Sequence, residues 1–146
     1  MMKKILFFVL CLGICTVGTA QTVKTTKTTT TKASTKQAEI TFDSTTYDFG
    51  TFSTDKAVQT CTFTFTNTGD APLIIHQAVA SCGCTVPKYS KEPIRPGQKG
   101  TVEVTYNGTG KFAGVFKKSI TVRSNAKTDV VRLTISGNMT EVQNPE

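Results

Sequence analysis

Tryptophan is absent, histidine occurs once, and charged residues make up only 18% of the 146-residue chain. The missing Trp excludes the Cys…Trp…Cys core of antibody domains. His76 stands amid Ile74, Ile75 and Gln77, with no Ser or Asp context that would make it a catalytic base. It reads as a surface or half-buried residue. No HExxH, GxSxG or phosphate-cradling glycine loop is present, and the acids form no close pair. No acid occurs in the first 38 positions, which carry six Lys. The other 108 residues hold 11 basic and 10 acidic groups. So nearly neutral a part is not built to neutralise phosphates, which excludes a nucleic-acid-binding domain.

What is present begins with an export signal. Lys3 and Lys4 precede Ile5 to Ile14, an apolar run of ten. That is half the length needed to span a bilayer, roughly 20 residues. Gly18, Thr19 and Ala20 then offer small side chains, so cleavage is expected before Gln21. Leu10 and Ile14 precede Cys11 and Cys15, where a lipidated Cys needs a small residue. The chain is therefore expected to be exported, periplasmic or extracellular, without a lipid anchor and without a membrane span once cleaved.

Residues 21–38 contain eight Thr, one Ser and four Lys. So little apolar surface cannot offset the entropy of ordering, and a solvated, dispensable leader is expected. Residues 39–137 are read as the folded domain and 138–146 as a tail. A core of this size folds without a disulfide framework.

The domain alternates by two. In 58–66, Cys61, Phe63 and Phe65 point one way, and Thr60, Thr62, Thr64 and Thr66 the other. The same alternation runs through 101–106, 119–123 and 130–135. One-sided alternation predicts antiparallel strands with one wet face, and Thr suits the pleat there. Strands are expected at 39–43, 47–52, 58–66, 73–80, 99–106, 114–123 and 129–136. Turn residues separate them: Asn67 to Pro72, Arg95-Pro96-Gly97, Asn107 to Gly110 (read as a hairpin), and Ser124 to Lys127. About seven short strands make an all-β, immunoglobulin-like two-sheet sandwich.

Specific strings carry a resemblance. They are Phe42-Asp43, Tyr47-Asp48-Phe49-Gly50, Phe63 to Gly69, Pro72 to Ile75, Ala80-Ser81-Cys82-Gly83-Cys84-Thr85, Glu92-Pro93-Ile94, Pro96-Gly97, Val104-Thr105-Tyr106 and Ser124-Asn125-Ala126. In this order they resemble the domain of unknown function fifteen seventy-three. That family is common among exported proteins of Bacteroidota and is similar to Hydin-type Ig-like domains. The resemblance covers 39–137 and implies an Ig-like sandwich and export. It implies no activity, and Cys61 and His76 lie outside its pattern.

One constellation offers chemistry: Cys82 and Cys84 flank Gly83 at the exit of an apolar strand. Four readings fit. The pair forms a small-ring, reducible disulfide; it holds a soft metal, Cu(I) suiting so few ligands; one member bridges to Cys61; or small residues merely pack a turn. Gly83 lets both sulfurs turn to one side, so the pair is expected to be close at one end of the sandwich. Cys61 is expected in the core, out of reach of both. Lys88, Lys91, Arg95 and Lys99 share a Pro-rich connection without a stacking platform beyond Tyr89, and read as a solvated loop. The resulting expectation is a non-enzymatic binding or structural module of the cell envelope, with an unidentified envelope protein as partner and no cofactor. The rival is a thiol-redox or Cu(I)-binding protein using Cys82 and Cys84.

Overall fold

The computed structural model describes residues 35–142. The expected signal peptide, most of the expected Thr-rich leader and the last four residues lie outside the described residues. Among the described residues there are eight strands: β1 (Ile40–Phe42), β2 (Thr46–Ser53), β3 (Val58–Asn67), β4 (Ile75–Ala80), β5 (Thr85–Tyr89), β6 (Lys99–Asn107), β7 (Gly114–Ser124) and β8 (Val130–Thr140). They form two four-stranded sheets, ordered β1-β3-β6-β5 and β2-β8-β7-β4. The architecture is the Ig-like sandwich that the alternation implies. Among the described residues no helix is long and apolar enough to cross a membrane.

The alternation decides which faces meet. Phe63 and Phe65 of β3 and Val102, Val104 and Tyr106 of β6 are buried. They oppose Phe116, Ile120 and Val122 of β7 and Leu133 and Ile135 of β8, which belong to the same core cluster. Thr60 and Thr62 are exposed, but Thr64 is half-buried rather than fully outward. Gly100 lies opposite Phe65 across the β3–β6 pair. A Cβ there would collide with the Phe65 ring and the Ile94 side chain. Absence of a side chain at 100 thus makes room for the largest fully buried one.

Five local expectations are corrected. The segment 85–89 is a strand, although it contains Pro87 and Lys88 of the connection that reads as a solvated loop. It pairs with β6 alone, at the edge of its sheet. An edge strand tolerates Pro because one row of its N–H positions has no ladder partner. The pairing of β2 with β8 is parallel, not antiparallel. It runs across a bulge where Gly50 adopts φ +67° and its N–H donates to Asp48 Oδ1 at 3.0 Å. Residues 107–113 are not a hairpin, because β6 and β7 belong to different sheets. They carry the chain across the end of the sandwich.

Ordered contacts also begin before residue 39. The Gln37 N–H donates to Asp70 Oδ1 at 2.6 Å, Asp70 N–H donates back to Gln37 O at 3.0 Å, and Ala38 is buried. At the other end β8 continues past 137, and Met139 is buried. Both boundaries lie where backbone pairing ends, which alternation alone does not mark.

Candidate functional site: the Cys82–Cys84 end of the sandwich

Strand β4 ends at Ala80, and the chain must reach β5 in the opposite sheet within four residues. Backbone bonds hold this crossing. Ser81 N–H donates to Ser119 O at 2.8 Å, Thr85 N–H to Cys82 O at 3.2 Å, and Asn107 N–H to Cys84 O at 2.8 Å. The Ser81 hydroxyl accepts from Ser119 N–H at 3.2 Å. Within this frame Cys82 and Cys84 are joined in a disulfide with Cα atoms 5.3 Å apart. Among the described residues Cys61 is the free thiol, buried at 5% exposure, and is bridged to neither. Burial pushes its pKa up to about 11, because the core cannot solvate a thiolate.

The disulfide adds little to the fold. Loop-closure entropy grows with the number of residues enclosed, so a ring this small contributes about 2 kcal/mol or less. The backbone bonds already hold the loop.

The pair borders a cleft of about 360 Å³, also lined by Tyr106, Lys111, Phe112, Phe116 and Lys118. The Tyr106 and Phe116 rings stack at 4.0 Å and 6° and form its apolar wall. Burial raises the Tyr106 phenol's pKa, so it stays a neutral donor. Lys118 is half-buried and shares its strand parity with the core residues Phe116 and Ile120. It lines this cleft and also a neighbouring depression with Ser81, Lys117 and Arg132. Phe112 is 98% exposed and Val115 83% exposed, at the rim.

Thr85 is the polar residue beneath the sulfurs. It is only 4% exposed. Its hydroxyl lies 3.6 Å from Cys82 Sγ and 3.9 Å from Cys84 Sγ. Sequence reasoning passed over Thr85, Lys118 and Tyr106. One signal was available: Lys118 interrupts the inward series Phe116, Ile120, Val122.

The other candidates do not join this site. His76 is exposed, and its backbone carbonyl accepts from the Tyr89 hydroxyl at 3.1 Å. Three of the four basic residues of 88–99 are occupied singly: Lys88 pairs with Glu103 at 3.6 Å, Lys99 with Asp43 at 3.8 Å, and Lys91 covers the Tyr89 ring at 3.7 Å. Such exposed pairs contribute about 0–1 kcal/mol each. Among the described residues no group of three or more His, Cys, Asp or Glu is placed to hold a metal. A metal at Cys82 and Cys84 would need the reduced pair and donors from beyond the described residues.

The comparisons with known proteins agree with this frame. Residues 40–139 match the family described as protein of unknown function (DUF1573), more than half of the chain. The chain belongs to that family. A protein of unknown function from Porphyromonas gingivalis W83 is similar in structure, with a TM-score of 0.60 and 15% identity. That likeness covers 70% of this chain and 47% of the other, so the chain spans about half of that relative's length. A PapD-like domain of human CEP192 is similar at a TM-score of 0.58 and 11% identity, covering 73% of this chain and 89% of that one. The secreted serine protease VesC of Vibrio cholerae is similar at 0.52 and 18% identity over 69% of this chain and 23% of that one. At such identities these likenesses show the fold alone. No curated protein matches the chain.

Proposed function

We propose that this chain is an exported, non-enzymatic Ig-like module that binds a protein of the cell envelope at the Cys82–Cys84 end of its sandwich. The observation that carries the reading is the rim: Phe112 and Val115 project into solvent beside a cleft that also holds Lys111 and Lys118. Scattered exposed apolar residues are ordinary, but an aromatic ring 98% exposed next to a concave site marks a contact surface. Among the described residues no acid lines the cleft. The partner segment that complements it pairs apolar side chains with carboxylates. The charged start, ten-residue apolar run and small residues before Gln21 support export.

Photo-crosslinking in the native cell tests this reading. A crosslinker at 112 is expected to give a discrete adduct with an envelope protein, which is weakened by Lys111→Glu and Lys118→Glu. The same crosslinker at Thr41, on the opposite edge strand, is expected to give none. Equal adducts from both positions would refute the assigned surface. Recovery of the chain solely from the cytoplasm, with Met1 retained, would refute export.

A further inference from the structure

We infer that Cys82–Cys84 is a reversible dithiol/disulfide exchange site, with the buried Thr85 hydroxyl as the positioning residue that holds its reduced sulfurs. This goes beyond the binding reading and does not depend on it, since exchange with a small thiol needs no docked protein.

The Thr85 hydroxyl carries the inference. A buried hydroxyl needs a hydrogen-bond partner. Among the described residues, the side-chain bonds of Thr85 run to the two sulfurs of this pair, at 3.6 and 3.9 Å. Sulfur is a weak acceptor when neutral. A hydrogen bond to an ionised acceptor is shorter and roughly twice as strong. The hydroxyl is therefore poorly served by the disulfide and well served by a thiolate in the same place. Lys118, half-buried on β7, lines the same cleft and brings a positive side chain to the site where that charge would form. Both features favour the reduced pair, which makes the disulfide an oxidant.

The frame permits the cycle without unfolding. The bonds from Ser81, Thr85 and Asn107 N–H groups hold the loop through its backbone, not through sulfur. Cys84 packs against the core cluster, whereas Cys82 is outside it. A thiolate from a dithiol partner attacks Cys82 Sγ. The bond between the sulfurs breaks, a mixed disulfide forms, and Cys84 leaves as the thiolate held by Thr85. The partner's second thiolate then attacks its own sulfur in the mixed disulfide and releases Cys82. The partner's two thiols lose two electrons and become a disulfide. The pair gains those electrons, and the two partner protons end on the Cys82 and Cys84 sulfurs or in solvent.

Equilibration of the purified chain with glutathione buffers of graded poise tests this, with alkylated peptides counted by mass to isolate Cys82 and Cys84. Far-UV circular dichroism follows the fold in parallel. The wild type is expected to exchange reversibly while folded. Thr85→Val is expected to shift the equilibrium about tenfold or more toward the disulfide, by the worth of one hydrogen bond to a charged group. Thr85→Ser is expected to stay within about twofold of wild type, since it keeps the hydroxyl that is worth that shift. Lys118→Met, which leaves Thr85 in place, is expected to shift in the same direction as Thr85→Val. Reduction only on unfolding would overturn the site. Coincident titrations of wild type and Thr85→Val, or a Thr85→Ser shift equal to that of Thr85→Val, would overturn the role of the hydroxyl.

Discussion

Replacing Asn67 by Ala is expected to destabilise the domain more than any other single polar truncation. Asn67 ends β3 and is fully buried, at 0% exposure. Its Nδ2 donates to Ala71 O and to Ile94 O, both at 2.8 Å. Its Oδ1 accepts from Gly69 N–H at 3.0 Å and from Glu39 N–H at 3.4 Å. One side chain thus ties the β3–β4 crossing to the 94 turn and to the chain entering β1. The four bonds are not equal. Ile94 O keeps a second donor, Leu73 N–H at 2.8 Å. The 3.4 Å bond from Glu39 is at the limit of useful geometry. Ala71 O and Gly69 N–H, both on half-buried residues, lose their partners, at the lower end of roughly 1–3 kcal/mol each. With the cavity, the expected cost is about 3–5 kcal/mol, out of a total of about 5–15 for a domain of this kind. With no Trp to report, urea melts followed by far-UV circular dichroism read the effect. The midpoint should fall with the slope unchanged. Asn67→Asp is expected to be no better at neutral pH, since it aims a carboxylate oxygen at two carbonyls. A cost of Asn67→Ala below about 1 kcal/mol would refute the clamp, because one net hydrogen bond alone is worth that much.

Phe65→Ala is expected to cost about 3–5 kcal/mol and Thr62→Ala no more than about 0.5, measured by the same melts, and a reversal would refute the register of β3. Cys61 is expected to resist alkylation at pH 8 until urea unfolds the chain. Its thiol ionises at about 11 when folded against an ordinary 9.0, so the unfolded state loses its proton first. That contribution to stability is fully present below pH 9 and declines as pH rises toward 11; Cys61→Val should remove this component of the alkaline slope. The Cys82→Ser, Cys84→Ser double variant is expected to lose about 2 kcal/mol or less, because the ring it opens is small. If the reduced pair takes a metal, Cu(I) is the ion two sulfurs suit, and equal anaerobic uptake by wild type and this variant would remove the metal reading.

Most of the sandwich is legible in the sequence because its strands have one wet face. Thr and Lys alternate with Phe, Val and Ile through β3, β6, β7 and β8, and a period of two admits one arrangement of faces. The missed strand β5 fails that test for a physical reason. It is an edge of five residues with Val86 exposed and Pro87 inside, so its local chemistry is that of a loop. Only the ladder to β6, with Pro87 opposite Val104, makes it a strand. The parallel β2–β8 pair is hidden likewise: the choice of sheet is made by the turn at 43–45, not by the pattern within β2.

The candidate site divides along the same line. Cys82 and Cys84 are legible as a pair because their chemistry is carried by two residues of fixed covalent separation. Thr85 is not, since Thr is the ordinary outward residue of most strands here and only the β4–β5 crossing turns this one inward. Its position beneath the sulfurs follows from where β5 must start to pair with β6, Thr85 lying opposite Tyr106. The hydroxyl beneath the sulfurs, the Tyr106–Phe116 wall and Lys118 thus reach the cleft that the disulfide borders from three separate strands. The composition of the loop therefore names the reactive atoms, while the folded sheets supply the donor and the cation that set which oxidation state those atoms favour.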